Sequence, residues 1–204
     1  MAKRRADART IKGFRRRPFE VREQRSRFLI VCEGMKTEPQ YFESFRLSVH
    51  VESVGRGALE VVDTAIRLRD EGDYRHPLLD YVWCVFDRDD VPADDFNTAI
   101  ALARKEGLGA AYSNEAFELW YLLHFHYVDT GISRLDYIAK LSLLLGHPYR
   151  KNSPAIGREL EKRQPTAIAN ARRLLAQYDP PNPAVDNPST TVHLLVEELN
   201  HSLV

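Results

Sequence analysis

Apolar residues fall along this chain in two rhythms. Short unbroken runs, "RFLIVCE" at 27–33 and "LLDYVWCVFDRDD" at 78–90, have strand length rather than helix length. "HVESVG" at 50–55 and "GAAYSN" at 109–114 read as two further short strands. The segments between them are amphipathic at helical spacing. "TEPQYFESFRLS" predicts a helix with Thr37 as N-cap and Pro39 in its first turn. "ALEVVDTAIRLRDEG" presents Leu59, Val62, Ile66 and Arg69 along one face, with Gly72 past its end. "PADDFNTAIALARKEG" starts near Pro92 and stops at Gly107. Strands alternating with helices predict a parallel α/β sheet of about four strands, flanked by helices.

From about Glu115 the rhythm is helical. "EAFELWYLLHFHY" is apolar nearly all round, which predicts burial. "SRLDYIAKLSLLLG" opens with a capping box, Ser133 and Asp136. "GRELEKRQPTAIANARRLLAQY" is helical with a break or kink at Pro165, and "PSTTVHLLVEELN" reads as a closing helix. These patterns divide the chain into a basic arm (1–25), an α/β core (26–128) and a helical C-terminal extension packed on that core (129–204).

Composition narrows the class without naming it. The 204 residues are 44% hydrophobic and 28% charged, an ordinary soluble balance. No run of about 18 apolar residues is present, so no membrane span is expected. Cys32 and Cys84 lie inside apolar runs without metal-ligand spacing, as buried thiols of a reducing cytoplasm would. The net charge of zero conceals an asymmetry: residues 1–27 hold eleven Lys/Arg against three Asp/Glu, a net of +8, which leaves −8 for the remainder. The arm is either a solvated tail or a grip on nucleic-acid phosphate, with Arg15, Arg16 and Arg17 at its densest point.

Two strands end in carboxylates. Glu33 stands at the carboxyl end of the first, Asp87 and Asp89 at that of the third. In open α/β sheets ligands bind at this edge, and residues two apart on an extended segment face one side. Three ionised carboxylates in one place need a counter-charge, and all-oxygen ligands suit Mg²⁺ or Mn²⁺. Gly34 leaves room for a phosphate to approach the backbone. An isolated Asp-x-Asp also occurs on ordinary solvated loops, and Asp90, Asp94 and Asp95 extend the acidic run here.

"FLIVCEGMKTEPQYFESF", "VWCVFDRDD", "AYSNEAFELWYLLHF" and "NPSTTVHLLVEEL", in that order, resemble the RloB-like family over about residues 26–202. Its members look like TOPRIM-fold proteins, the acidic metal-dependent fold also found in topoisomerases, DnaG-type primases and OLD-family nucleases. The resemblance implies that Glu33 is the TOPRIM glutamate and that Asp87 and Asp89 are its DxD pair, together holding Mg²⁺ or Mn²⁺. It further implies a cytoplasmic phage-defence or abortive-infection nuclease that cleaves RNA, including tRNA, or DNA, with an AAA-type ATPase as a possible partner. No Walker A motif is present, so such an ATPase would be another chain. A non-catalytic TOPRIM-like sensor or scaffold subunit is the alternative. A HAD-like phosphatase fits less well, since Val91 stands where that motif wants threonine.

The family's serine-asparagine-proline turn reads Ser113-Asn114-Glu115 here, with Asn114 or Ser113 available as a cap. Glu118 falls early in a buried helix, where a carboxylate needs a partner: a metal or its surroundings on one reading, a helix cap or ion pair on the other. Lys151 is a candidate to stabilise phosphate charge, by a loose match to the lysine of OLD-type nucleases, or else a solvated loop lysine. His124 and His126 read as packed side chains before a general base, and Tyr41 and Phe42 as core aromatics.

Overall fold

A computed structural model describes residues 27–71, 79–89, 91–153 and 155–203. The arm, with Arg15 to Arg17, and the cap position at Gly72 lie outside the described residues. Five strands form one sheet: β1 (Arg27–Cys32), β2 (Ser48–Ser53), β3 (Tyr81–Asp87), β4 (Gly109–Asn114) and β5 (Ser189–Thr190). Their order is β2-β1-β3-β4-β5; the first four are parallel and β5 runs antiparallel to β4.

Strands buried on both faces explain the near-continuous apolar runs. Phe28, Ile30, Cys32, Trp83 and Val85 point to one face; Leu29, Val31, Cys84 and Phe86 point to the other. The second face is covered by α2 (Ala58–Glu71) and α3 (Ala93–Lys105), which bury Val61, Val62, Ala65, Phe96, Ala99 and Ile100. The first face carries α1 (Thr37–Glu43), α4 (Glu118–Leu123), α5 (Arg134–Leu145), α6 (Ile156–Leu160), α7 (Gln164–Leu175) and α8 (Val192–His201). Tyr41, Phe42, Trp120 and Tyr121 fill its aromatic centre, and both cysteines are buried free thiols.

The strand order locates the ligand edge. The chain leaves β1 outward to β2, then returns past β1 to β3, so the direction of winding reverses between β1 and β3. The crevice at the carboxyl ends of two such strands is where this class of sheet binds ligands. Glu33 and Asp87 stand at those two ends.

Several local expectations need correcting. Thr37 is the first helical residue rather than the cap; Lys36 holds that position without a side-chain bond, and the Thr37 hydroxyl donates to the Lys151 carbonyl at 3.3 Å. Neither Ser113 nor Asn114 caps α4. The Ser113 hydroxyl is 3.1 Å from that of Thr190, and Asn114 Nδ2 donates to the Pro183 carbonyl at 3.2 Å. The turn is tied to the C-terminal segment instead. Pro165 lies in the first turn of α7, where its missing N–H costs nothing, after a 3-10 turn at Glu161–Arg163 breaks the run. His126 is exposed, whereas His124 is buried with Nδ1 2.9 Å from the Trp120 carbonyl. Among the described residues, no helix is long and apolar enough to cross a membrane.

Candidate functional site

Each carboxylate at this edge is delivered by a different element. The Glu33 N–H donates to the Val85 carbonyl at 2.8 Å, which extends the parallel ladder one residue beyond β1 and fixes the side chain beside β3. Its Oε2 then accepts from the Asp87 N–H at 3.1 Å. Asp87 closes β3 and is buried, while Asp89 has turned out of the strand into a left-handed conformation, φ 29°. Asp tolerates that region better than most residues. The turn is held by the Asp89 N–H donating to the Glu115 carbonyl at 3.1 Å. The two aspartates do converge, but because the backbone turns, not because an extended strand continues.

Glu118 opens α4 and is 1% exposed. Its Oε1 is 3.3 Å from the Tyr149 hydroxyl, which donates to it, and 3.8 Å from Lys151 Nζ. The partner that burial demands is therefore supplied by the loop after α5, which also places Lys151 at the site. Two residues that sequence reasoning did not select belong here as well. Glu38, in the first turn of α1, is buried beside Gly34. A Cβ on Gly34 would lie 2.1 Å from Glu38 Oε2, so glycine is what lets this carboxylate lie against the β1–α1 loop. Arg134, the first residue of α5, reaches Asp87 Oδ2 at 3.0 Å and Asp89 Oδ2 at 2.5 Å.

Together these groups line a cleft of about 360 Å³. Glu33, Glu38, Asp87, Asp89 and Glu118 face Lys36, Arg134 and Lys151 across it, with Gly34, Gly55 and Phe117 completing the wall. Carboxylates outnumber cations, and the electrostatics follow. Burial pushes the Glu33 carboxyl above its ordinary range. Glu38 is pushed up to about 7, first by burial and then by Glu118 and Glu33. Asp87 is raised well above the usual carboxylate range by burial, with Glu38 and Glu118 adding repulsion. Its Oδ1 is buried without a hydrogen-bond partner among the described residues.

The residues suit a divalent cation in chemistry and in location. Their donors are all oxygen, Asp87 Oδ1 lacks a partner, and the cleft is short of positive charge. Among the described residues, however, no three His, Cys, Asp or Glu side chains already form a metal-holding group. Among the described residues, Arg134 stands on both aspartates.

The class defined by this fold and cleft is an α/β protein with a carboxylate-lined crevice at the switch point of a mostly parallel sheet. The family model described as "RloB-like protein" matches residues 28–199, and the chain belongs to that family. No curated protein and no solved structure matches it.

Proposed function

We propose that this protein is a metal-dependent nuclease of the TOPRIM type, hydrolysing phosphodiester bonds of RNA or DNA in the cytoplasm as part of a phage-defence system. The observation that carries this reading is the convergence of Glu33, Asp87, Asp89 and Glu118 on one cleft at the sheet's switch point. Glu33, Asp87 and Asp89 would hold Mg²⁺ or Mn²⁺, which when bound polarises a phosphate and acidifies a water. This chain's own groups do the remaining work. Glu33, made more basic by burial, would either complete the set of groups holding the ion or accept a proton from the nucleophilic water. Lys151 neutralises Glu118 and offers its ammonium to phosphate at the rim, where its side chain is 45% exposed. The space beside Gly34 is filled by the Glu38 carboxylate, so the glycine serves that packing and not the approach of a phosphate to the loop backbone.

Incubating the purified protein with total RNA, tRNA and plasmid DNA, in Mg²⁺, Mn²⁺ or EDTA, tests this. Cleavage that EDTA abolishes is the expected result; no cleavage with any substrate and ion would overturn the catalytic reading. The pairing of Arg134 with both aspartates favours a second reading, a non-catalytic sensor or scaffold for a partner ATPase in which the guanidinium permanently neutralises the pair.

A further inference from the structure

Arg134 is positioned by its backbone and engaged by its tip. Its N–H donates to Glu115 Oε1 at 3.4 Å, and it begins a helix capped by Ser133. Beyond that point the side chain runs into the cleft, where the guanidinium bridges Asp87 Oδ2 and Asp89 Oδ2 through one nitrogen, Nη2. Its Nε is buried and makes no hydrogen bond. The side chain is 32% exposed, so a path to solvent is open. The tip is thus held mainly by the two carboxylates that a divalent ion would need.

We propose that Arg134 is a built-in counter-ion that competes with the divalent cation for Asp87 and Asp89, and so sets the ion concentration at which the site loads. This deepens the metal-dependent reading and rests on it. A monovalent guanidinium and a divalent ion cannot share the same carboxylate oxygens, because each would lose its ligands and repel the other at such short range. With the ion absent, the guanidinium offsets the charge of the two aspartates in a cleft where carboxylates outnumber cations. With the ion bound, that task passes to the metal and the guanidinium is released to the rim of the cleft. Lys151 does not compete in this way, since it pairs with Glu118 rather than with either aspartate.

The test is calorimetric titration of Mn²⁺ into the full-length wild type, Arg134→Gln, Arg134→Lys and Lys151→Gln, each checked for folding by circular dichroism. Arg134→Gln should bind Mn²⁺ at least about tenfold more tightly than wild type, the scale of one charge-assisted hydrogen bond, and its metal-free form should melt at a lower temperature. Lys151→Gln removes an equal charge from the same cleft without touching the aspartates, so it controls for the general field and should gain clearly less. Arg134→Lys keeps the charge but loses the planar fork, and should bind more tightly than wild type even where Arg134→Gln fails to fold. Equal or weaker Mn²⁺ binding by the Arg134 variants, beside a wild type that binds, would overturn this inference and leave the metal reading standing. Gains by Arg134→Gln no larger than those of Lys151→Gln would overturn it too. No Mn²⁺ binding by any of the four would overturn the metal reading itself.

Discussion

At the scale of single residues, burial makes ionisation of Glu33, Glu38 and Asp87 expensive, and that makes stability depend on pH. Glu38 titrates at about 7 in the folded chain against an ordinary 4.5. Between those values the folded chain keeps a proton that the unfolded chain has released, so this contribution is present in acid and is lost as pH rises toward 7. His124 and His193, both lowered to about 4 by burial, act in the opposite sense: protonating the unfolded chain below about 6.5 costs stability in acid. Glu38→Gln isolates one of the two. Relative to wild type it should gain on the order of 2 kcal/mol more at pH 8 than at pH 5. Urea unfolding at both values measures this, and an equal effect at the two would refute it. Asp87→Asn removes a buried charge while Arg134 keeps Asp89. Metal-free melting should stay level or rise, whereas a capping role predicts a loss of about 1 kcal/mol. Ion-dependent cleavage should vanish in the same variant, and cleavage at the wild-type rate would remove Asp87 from the metal site. Glu33, Asp87 and Glu118 were legible in the sequence because each interrupts an apolar run. Glu38 was not, since "TEPQ" looks like a solvated helix start until the fold buries it. Arg134 was hidden for another reason: its partners are 45 and 47 residues away, and only packing of α5 on the sheet brings them together.

At the scale of elements, periodicity revealed the four parallel strands, the helices between them and the capping box. It missed β5, which reads as the start of a helix in "PSTTVHLL". Two residues give no alternation to detect, and the backbone pairing of Ser189 and Thr190 with β4 is reinforced just beyond the strand by Thr191, whose N–H donates to the Tyr112 carbonyl at 2.9 Å and whose Oγ1 accepts from the Tyr112 N–H at 2.9 Å and donates to the Ala110 carbonyl at 3.0 Å. Of the expected capping box the structure keeps the Ser133 half, the cap on the Asp136 N–H, and this has a functional consequence because the residue after the cap is Arg134. The Ser133 hydroxyl donates to the Asp136 carboxylate at 2.6 Å, and its oxygen lies 3.3 Å from the Asp136 N–H. Ser133→Ala should cost about 1 kcal/mol. It should also speed amide hydrogen exchange in the first turn of α5 before any other helix. Uniform exchange across the helices would show that the cap does not set the order of opening.

At the scale of the whole molecule the charge is divided. Residues 28–204 carry −8, and the cleft itself holds more carboxylates than cations. Such a surface repels a polyanion, so a nuclease built on it needs attraction from elsewhere. A bound divalent ion offsets only its immediate carboxylates, and screening confines its reach to about 10 Å at moderate salt. On the proposed function, the +8 of the first 27 residues would supply that attraction. Deleting residues 1–20 should therefore weaken binding to RNA and DNA alike, since phosphate contacts are blind to sequence. It should also flatten the logarithmic dependence of affinity on salt, by about 0.7–0.9 for each phosphate that the arm no longer neutralises. The thermal midpoint should hardly move, because that segment contributes few apolar residues to any core. Fluorescence anisotropy across a salt series, run on both lengths of chain, decides the matter. A truncated protein with an unchanged salt slope would show that attraction comes from the globule, through a positive surface that its net charge conceals.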